Sequence, residues 1–236
     1  MFFPYLFVSI LIVSSKRNFV ASSKIVKRCI QSKTPNQQKY HDQLLNNDMT
    51  IVLGMGPAGT GKTFVACHTA VEQLKTKQIE KIIITRPIVS VEENMGFLPG
   101  SITEKMDPFT RPIFDVLSSA YDKTEVQALI KKNIIEISPL GFMRGRTFDN
   151  AFIIADEMQN SSANQMKMLL TRIGENSKLV ITGDLEQSDY GYNNGLRDFF
   201  ERIENKKWKN IAWTSFASKD IQRSEIVKTI IKIYGN

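Results

Sequence analysis

The chain has 236 residues, a length that suits one domain with ample volume for a single core. Its net charge of +7 points toward nucleic acid at first sight, but residues 1–41 hold seven basic residues and no Asp or Glu, leaving 24 basic against 24 acidic in the rest. A neutral body excludes polynucleotide attraction by bulk charge, so any such contact needs a local cluster.

Met1 to Val13 is an apolar run too short to span a bilayer, and it lacks the basic start of a secretory signal. No stable membrane insertion is expected. The acid-free, Ser-, Lys- and Arg-rich stretch 14–33 has the composition of an organelle transit segment, or is an extension without a role. The division expected is therefore a leader over 1–33, disordered or targeting, and a folded body over 34–236. Cys29 and Cys67 have no evident partner, which suits a reducing compartment: the cytoplasm, with organelle import as the alternative.

The body then alternates apolar runs with helical patterns. Strands are expected at 51–55, 81–85, 134–138, 151–155, 178–182 and 211–215, and helices at 62–76, 109–121, 123–132, 162–173, 195–205 and 219–233. Short, unalternating, Ile- and Val-rich strands suit a sheet covered on both faces. The fold class is thus α/β: a mainly parallel, doubly wound sheet with helices on both faces, and with ligands at the carboxyl ends of the strands.

Between the first strand and the first of these helices lies Gly56-Pro57-Ala58-Gly59-Thr60-Gly61-Lys62-Thr63, which fits G-x-x-x-x-G-K-[ST]. Glycines let successive backbone N–H groups face one anion, and the following helix adds its positive end. Lys62 is expected to neutralise the outer phosphates of ATP, and the Thr63 hydroxyl to ligate Mg²⁺.

The run 152–155 ends in Asp156-Glu157. After a P-loop in the same sheet, Asp156 suits the acid that holds Mg²⁺ opposite Thr63, and Glu157 the base that activates water. Alone, such a pair could equally be a helix N-cap. Gln187, beyond the strand at 178–182, can sense a γ-phosphate or can be an exposed turn residue. Arg86, Arg144 and Arg146 sit on loops, where arginines grip nucleic-acid or nucleotide phosphates or are simply solvated. The segment 92–112 is an irregular insertion, either a polynucleotide or partner surface or a packed loop. Trp208 and Trp213 are expected in packing.

Together these residues resemble the PhoH family of ATPases. The likeness lies in Thr34-Pro-Asn-Gln37, the loop at 56–63, Thr85-Arg-Pro87, Gly96-Phe-Leu-Pro-Gly100, Met143-Arg-Gly-Arg-Thr147, Asp156-Glu-Met-Gln159, Gln165-Met-Lys-Met168, Thr171-Arg-Ile-Gly174 and Thr182-Gly-Asp184. It covers Thr34 to the C-terminus and extends to the first motor domain of superfamily 1 helicases. The resemblance implies that Gln37 touches the adenine edge, that Gln159 couples nucleotide state to a polymer surface carrying Arg86, and that Arg223 reaches a γ-phosphate in a neighbouring subunit. It further implies a homo-oligomeric ring acting on RNA or single-stranded DNA. A nucleotide-gated binding module and an ATPase acting on a protein partner are the alternatives.

Overall fold

The computed structural model describes residues 31–87, 113–119, 121–188 and 194–234. The leader expected at the N-terminus, as far as residue 30, and the insertion expected at 92–112 lie outside these residues.

The chain order begins with α1 (Pro35–Leu45), β1 (Ile51–Met55), α2 (Lys62–Lys75) and β2 (Lys81–Arg86). Then follow α3 (residues 113–119), α4 (Lys123–Lys131) and β3 (Ile135–Pro139). A 3₁₀ turn (Leu140–Met143) leads to β4 (Ala151–Ala155), a second such turn (Met158–Asn160) and α5 (Ala163–Leu170). The chain closes with β5 (Lys178–Gly183), α6 (Gly195–Ile203), β6 (Ile211–Ser215), a third turn (Ser218–Asp220) and α7 (Glu225–Tyr234).

The six strands form one sheet in the order β3-β2-β4-β5-β1-β6, with every pairing parallel. Alternate residues go to opposite faces, as a period of two dictates. Val52, Ile82, Ile84, Phe152, Ile154 and Val180 join the core under α1, α2, α3 and α4. Leu53, Ile83, Ile153, Leu179 and Ile181 join a second core with α5 and α6. Burial on both faces explains why these strands read as unbroken apolar runs.

All six expected strands are present, three with the expected bounds and three displaced or lengthened by one residue. Most helix ends move inward, and the run expected at 219–233 divides into a 3₁₀ turn and α7. The sequence patterning gave no warning of α1. Its start is nonetheless well specified: Thr34 Oγ1 accepts from Gln37 N–H at 3.2 Å and Pro35 takes the first turn. Tyr40 and Leu44 have no exposed surface, so packing rather than amphipathic pattern holds this helix against the P-loop strand. No helix among the described residues is long and apolar enough to cross a membrane.

Candidate nucleotide site

Two strand ends build the site. β1 delivers the glycine loop, while β4 delivers the acid pair, with β5 between them. The loop is anchored on both sides: Gly56 N–H donates to Gly183 O at 3.0 Å, and Phe216 N–H donates to Met55 O at 2.7 Å. Gly56, Gly59 and Gly61 take φ of 131°, 82° and 87°, the region that side-chain-bearing residues rarely adopt. At Gly56 a Cβ would also stand 2.3 Å from Phe216 O, so backbone and not a movable side chain forbids it.

Gly61 caps α2 without a side-chain acceptor, which leaves first-turn N–H groups directed at the loop's interior. Lys62 Nζ reaches into the same space, donating to Gly56 O and, at 2.8 Å, to Pro57 O. Burial pushes the Lys62 ammonium pKa down, against the upward pull of Asp184, Glu157 and Asp156. Gln37 Nε2 donates to Thr60 O at 2.8 Å, which brings α1 onto the loop.

Across the sheet, Asp156 is 3% exposed and heavily engaged. Its Oδ1 accepts from Thr63 Oγ1 at 2.7 Å and from Thr182 Oγ1, and Arg86 reaches its Oδ2 at 2.9 Å. Thr182 has no role in the sequence reading. The signal that finds it is register: Ala155 pairs with Ile181, so the next residues on the two strands, Asp156 and Thr182, lie side by side.

Glu157 sits at φ 57° with its side chain 47% exposed. Gln159 Nε2 donates to Glu157 Oε2 at 2.7 Å, Asp184 N–H donates to Gln159 Oε1 at 3.1 Å, and Ser188 Oγ donates to Gln159 O at 2.8 Å. One glutamine thus joins the exposed carboxylate to the end of β5.

Thr63 and Asp156 offer oxygen ligands in direct contact beside the lysine and the glycine loop, a donor set that suits Mg²⁺ shared with phosphate oxygens. No group of three or more His, Cys, Asp or Glu among the described residues forms a metal cage, and a metal held partly by phosphates needs none.

The remaining expected residues are more scattered. Gln187 is exposed and makes no hydrogen bond among the described residues. Arg144 is exposed, while Arg146 makes a two-pronged ion pair with Glu136 and lies 4.6 Å from the Phe148 ring centroid. Arg86 lies on the acid pair itself. Arg223 lies against the loop of its own chain: Gln222 N–H donates to Gly59 O at 2.9 Å, and Arg223 Nε is 2.8 Å from where a Cβ on Gly59 would stand.

An all-parallel, doubly wound sheet with a glycine loop after β1, and an acid pair two strands away, defines the RecA-like P-loop class. The comparisons with known proteins agree and narrow it. A family model described as PhoH-like protein matches residues 29–235, and the chain belongs to the PhoH family. A PhoH-like protein of Mycobacterium tuberculosis is 46% identical over 210 residues, covering 88% of this chain and 58% of that one. A PhoH-like protein of Bacillus subtilis is 44% identical over 209 residues, covering 88% of this chain and 64% of its own length. Protein PhoH of Escherichia coli K12 is 38% identical over 204 residues, covering 85% and 57%. The chain therefore spans about three-fifths of the length of these relatives. Among solved structures, the large terminase of a thermophilic bacteriophage superposes with a TM-score of 0.56 at 13% identity, covering 87% of this chain and 51% of that one, a likeness of fold.

Proposed function

We propose that this chain binds ATP at the 56–63 loop with Mg²⁺ and hydrolyses it, and that hydrolysis is coupled to RNA or single-stranded DNA in a homo-oligomer. The observation that carries the reading is the contact of Thr63 Oγ1 with Asp156 Oδ1 at 2.7 Å, across 93 residues of sequence, with Glu157 next in the chain.

Thr63 and Asp156 would hold the metal, which when bound offsets charge on the phosphate oxygens. The loop N–H groups and Lys62 orient the phosphates and stabilise charge on the γ-phosphate. Glu157 accepts the proton of the attacking water, and Gln159 fixes the direction in which its carboxylate faces. Gln37, bonded to the loop, serves the base end of the nucleotide. Arg223 serves the nucleotide held by its own chain, a role supported by its packing on Gly59. Gln187 keeps its expected role near the γ-phosphate only if the 184–188 segment closes on the nucleotide.

Assembly into an oligomer is supported by α7, where Ile226, Ile230 and Ile233 are 64%, 45% and 74% exposed at helical spacing. Arg144, exposed beside Phe142, supports contact with a polynucleotide.

The test is steady-state ATP hydrolysis with and without single-stranded RNA, beside Lys62→Ala and Glu157→Gln. Stimulation by RNA that both substitutions abolish supports the coupled ATPase. Hydrolysis indifferent to RNA points to a protein partner, and nucleotide binding without turnover to a switch.

A further inference from the structure

Arg86 and the acid pair are brought together by strand register. Thr85 on β2 pairs with Ala155 on β4, and Asp156 N–H donates to Thr85 O at 2.9 Å, so the next residues, Arg86 and Asp156, meet at the carboxyl edge. Arg86 Nε donates to Asp156 Oδ2 at 3.1 Å, and its Nη2 approaches the same oxygen at 2.9 Å. The same Nη2 reaches Glu157 Oε1 at 3.4 Å. Glu157 is therefore held by both oxygens, Oε1 by Arg86 and Oε2 by Gln159. A donor on each oxygen sets the direction of the carboxylate, while each oxygen keeps room for one further hydrogen bond.

We propose that Arg86 is the positioning residue through which a bound single strand controls hydrolysis: its guanidinium restrains Glu157 until a backbone phosphate takes the carboxylate's place on the guanidinium. Of these three contacts the link to Glu157 is the longest, so it yields before the link to Asp156. A guanidinium fork matches phosphate as well as it matches carboxylate, which makes the exchange chemically even. The arginine is within reach, since its side chain is 21% exposed. The neighbouring surface also fits a nucleic-acid strand. Arg86 is the cross-strand partner of Pro139, and the 3₁₀ turn that starts at the following residue carries Phe142, 54% exposed, and leads into the exposed Arg144. Leu140 and Met143 anchor this turn in the core, so the aromatic face and the cation are presented from a fixed base. The inference rests on the reading of Glu157 as the base in ATP hydrolysis.

The experiment compares wild type, Arg86→Gln and Arg86→Lys in the full chain. Hydrolysis is measured with and without unlabelled oligouridylate, and binding of a fluorescein-labelled oligouridylate by anisotropy in the absence of nucleotide. Arg86→Gln is expected to raise the RNA-free kcat by about tenfold, a modest part of the ~10²–10⁴ that a positioned base supplies. The KM for ATP should stay within about twofold, the further stimulation by RNA should vanish, and RNA binding should weaken. Arg86→Lys, which keeps the charge and loses the fork, should fall between. A gain in rate cannot come from a damaged fold. If wild type is stimulated by RNA while Arg86→Gln has an unchanged or lower RNA-free rate, or is itself still stimulated, the role of Arg86 is overturned and the ATPase reading stands. If wild type hydrolyses no ATP in either condition, the underlying reading fails and the inference with it.

Discussion

The two halves of the site are built on different length scales. In the loop, the side chains of Lys62 and Thr60 bond locally, Lys62 to Gly56 and Pro57 and Thr60 to Pro57, all within six residues, while Gln37, Gly183 and Phe216 anchor the loop from outside. At the acid pair the contacts cross the sequence, from Thr63, Arg86 and Thr182 to Asp156 over 93, 70 and 26 residues. A local device survives as a string of letters, whereas a device assembled by topology exists only after the strands have found their order. The loop was thus readable from eight residues, while the engagement of Arg86 by Asp156 needed the β2–β4 register.

Substitutions can separate the two halves. The largest effect is expected for Glu157→Gln, which should lower kcat by about 10²–10⁴-fold with ATP affinity nearly unchanged, since only the proposed base is removed. Steady-state kinetics beside equilibrium binding checks this. Gly56→Ala attacks the loop, both in its own backbone and where it packs on Phe216. With φ at 131° and Phe216 O where the methyl would go, it should cost about 1–3 kcal/mol of stability or more and abolish nucleotide binding, read by thermal unfolding and nucleotide titration. Gln159→Ala attacks the long-range half. It frees Glu157 from the end of β5, and kcat should fall by about tenfold with KM little changed, because binding groups stay in place. A fall in affinity instead would mean the halves are not separable in this way.

Smaller effects test the supports. Thr34→Ala removes the cap of α1 and should cost about 1 kcal/mol in unfolding experiments, loosening Gln37 from the loop. Lys178 Nζ donates to Leu44 O and Asn46 O at 2.6 and 2.7 Å, and burial pushes its pKa down from 10.5 to about 8. Between those values the unfolded chain binds more protons than the folded one, so this lysine makes stability rise with pH across that window. Thermal unfolding as a function of pH should show the stability of wild type relative to Lys178→Met rising across that window, since burial of Cys67 and Tyr40 acts in the opposite sense in both.

Legibility followed the same division elsewhere. Six strands were readable because both-face burial leaves continuous Ile and Val runs such as Ile82-Ile83-Ile84. Helix α1 was not, since PNQQKYHDQLL is mostly polar and only Gln37, Tyr40 and Leu44 are buried. Asp156 and Glu157 were legible as types, but the left-handed backbone of Glu157 and its hold by Gln159 were not. The expected contact of Arg223 with a neighbouring subunit came from resemblance, and its packing on Gly59 of its own chain depends on the turn at Ser218–Asp220. Asp220 shapes that turn by accepting from Ala217 N–H and Asn36 Nδ2, the second of these 184 residues away.

The most direct test of the central claim is a single-turnover measurement of Mg²⁺-dependent ATP cleavage by wild type and Glu157→Gln, each shown to bind ATP beforehand. Equal binding, cleavage by wild type, and a loss of at least about a hundredfold in the variant are expected. Cleavage by the variant at the wild-type rate would contradict the assignment of Glu157 and, with it, the mechanism built on the β4 acid pair.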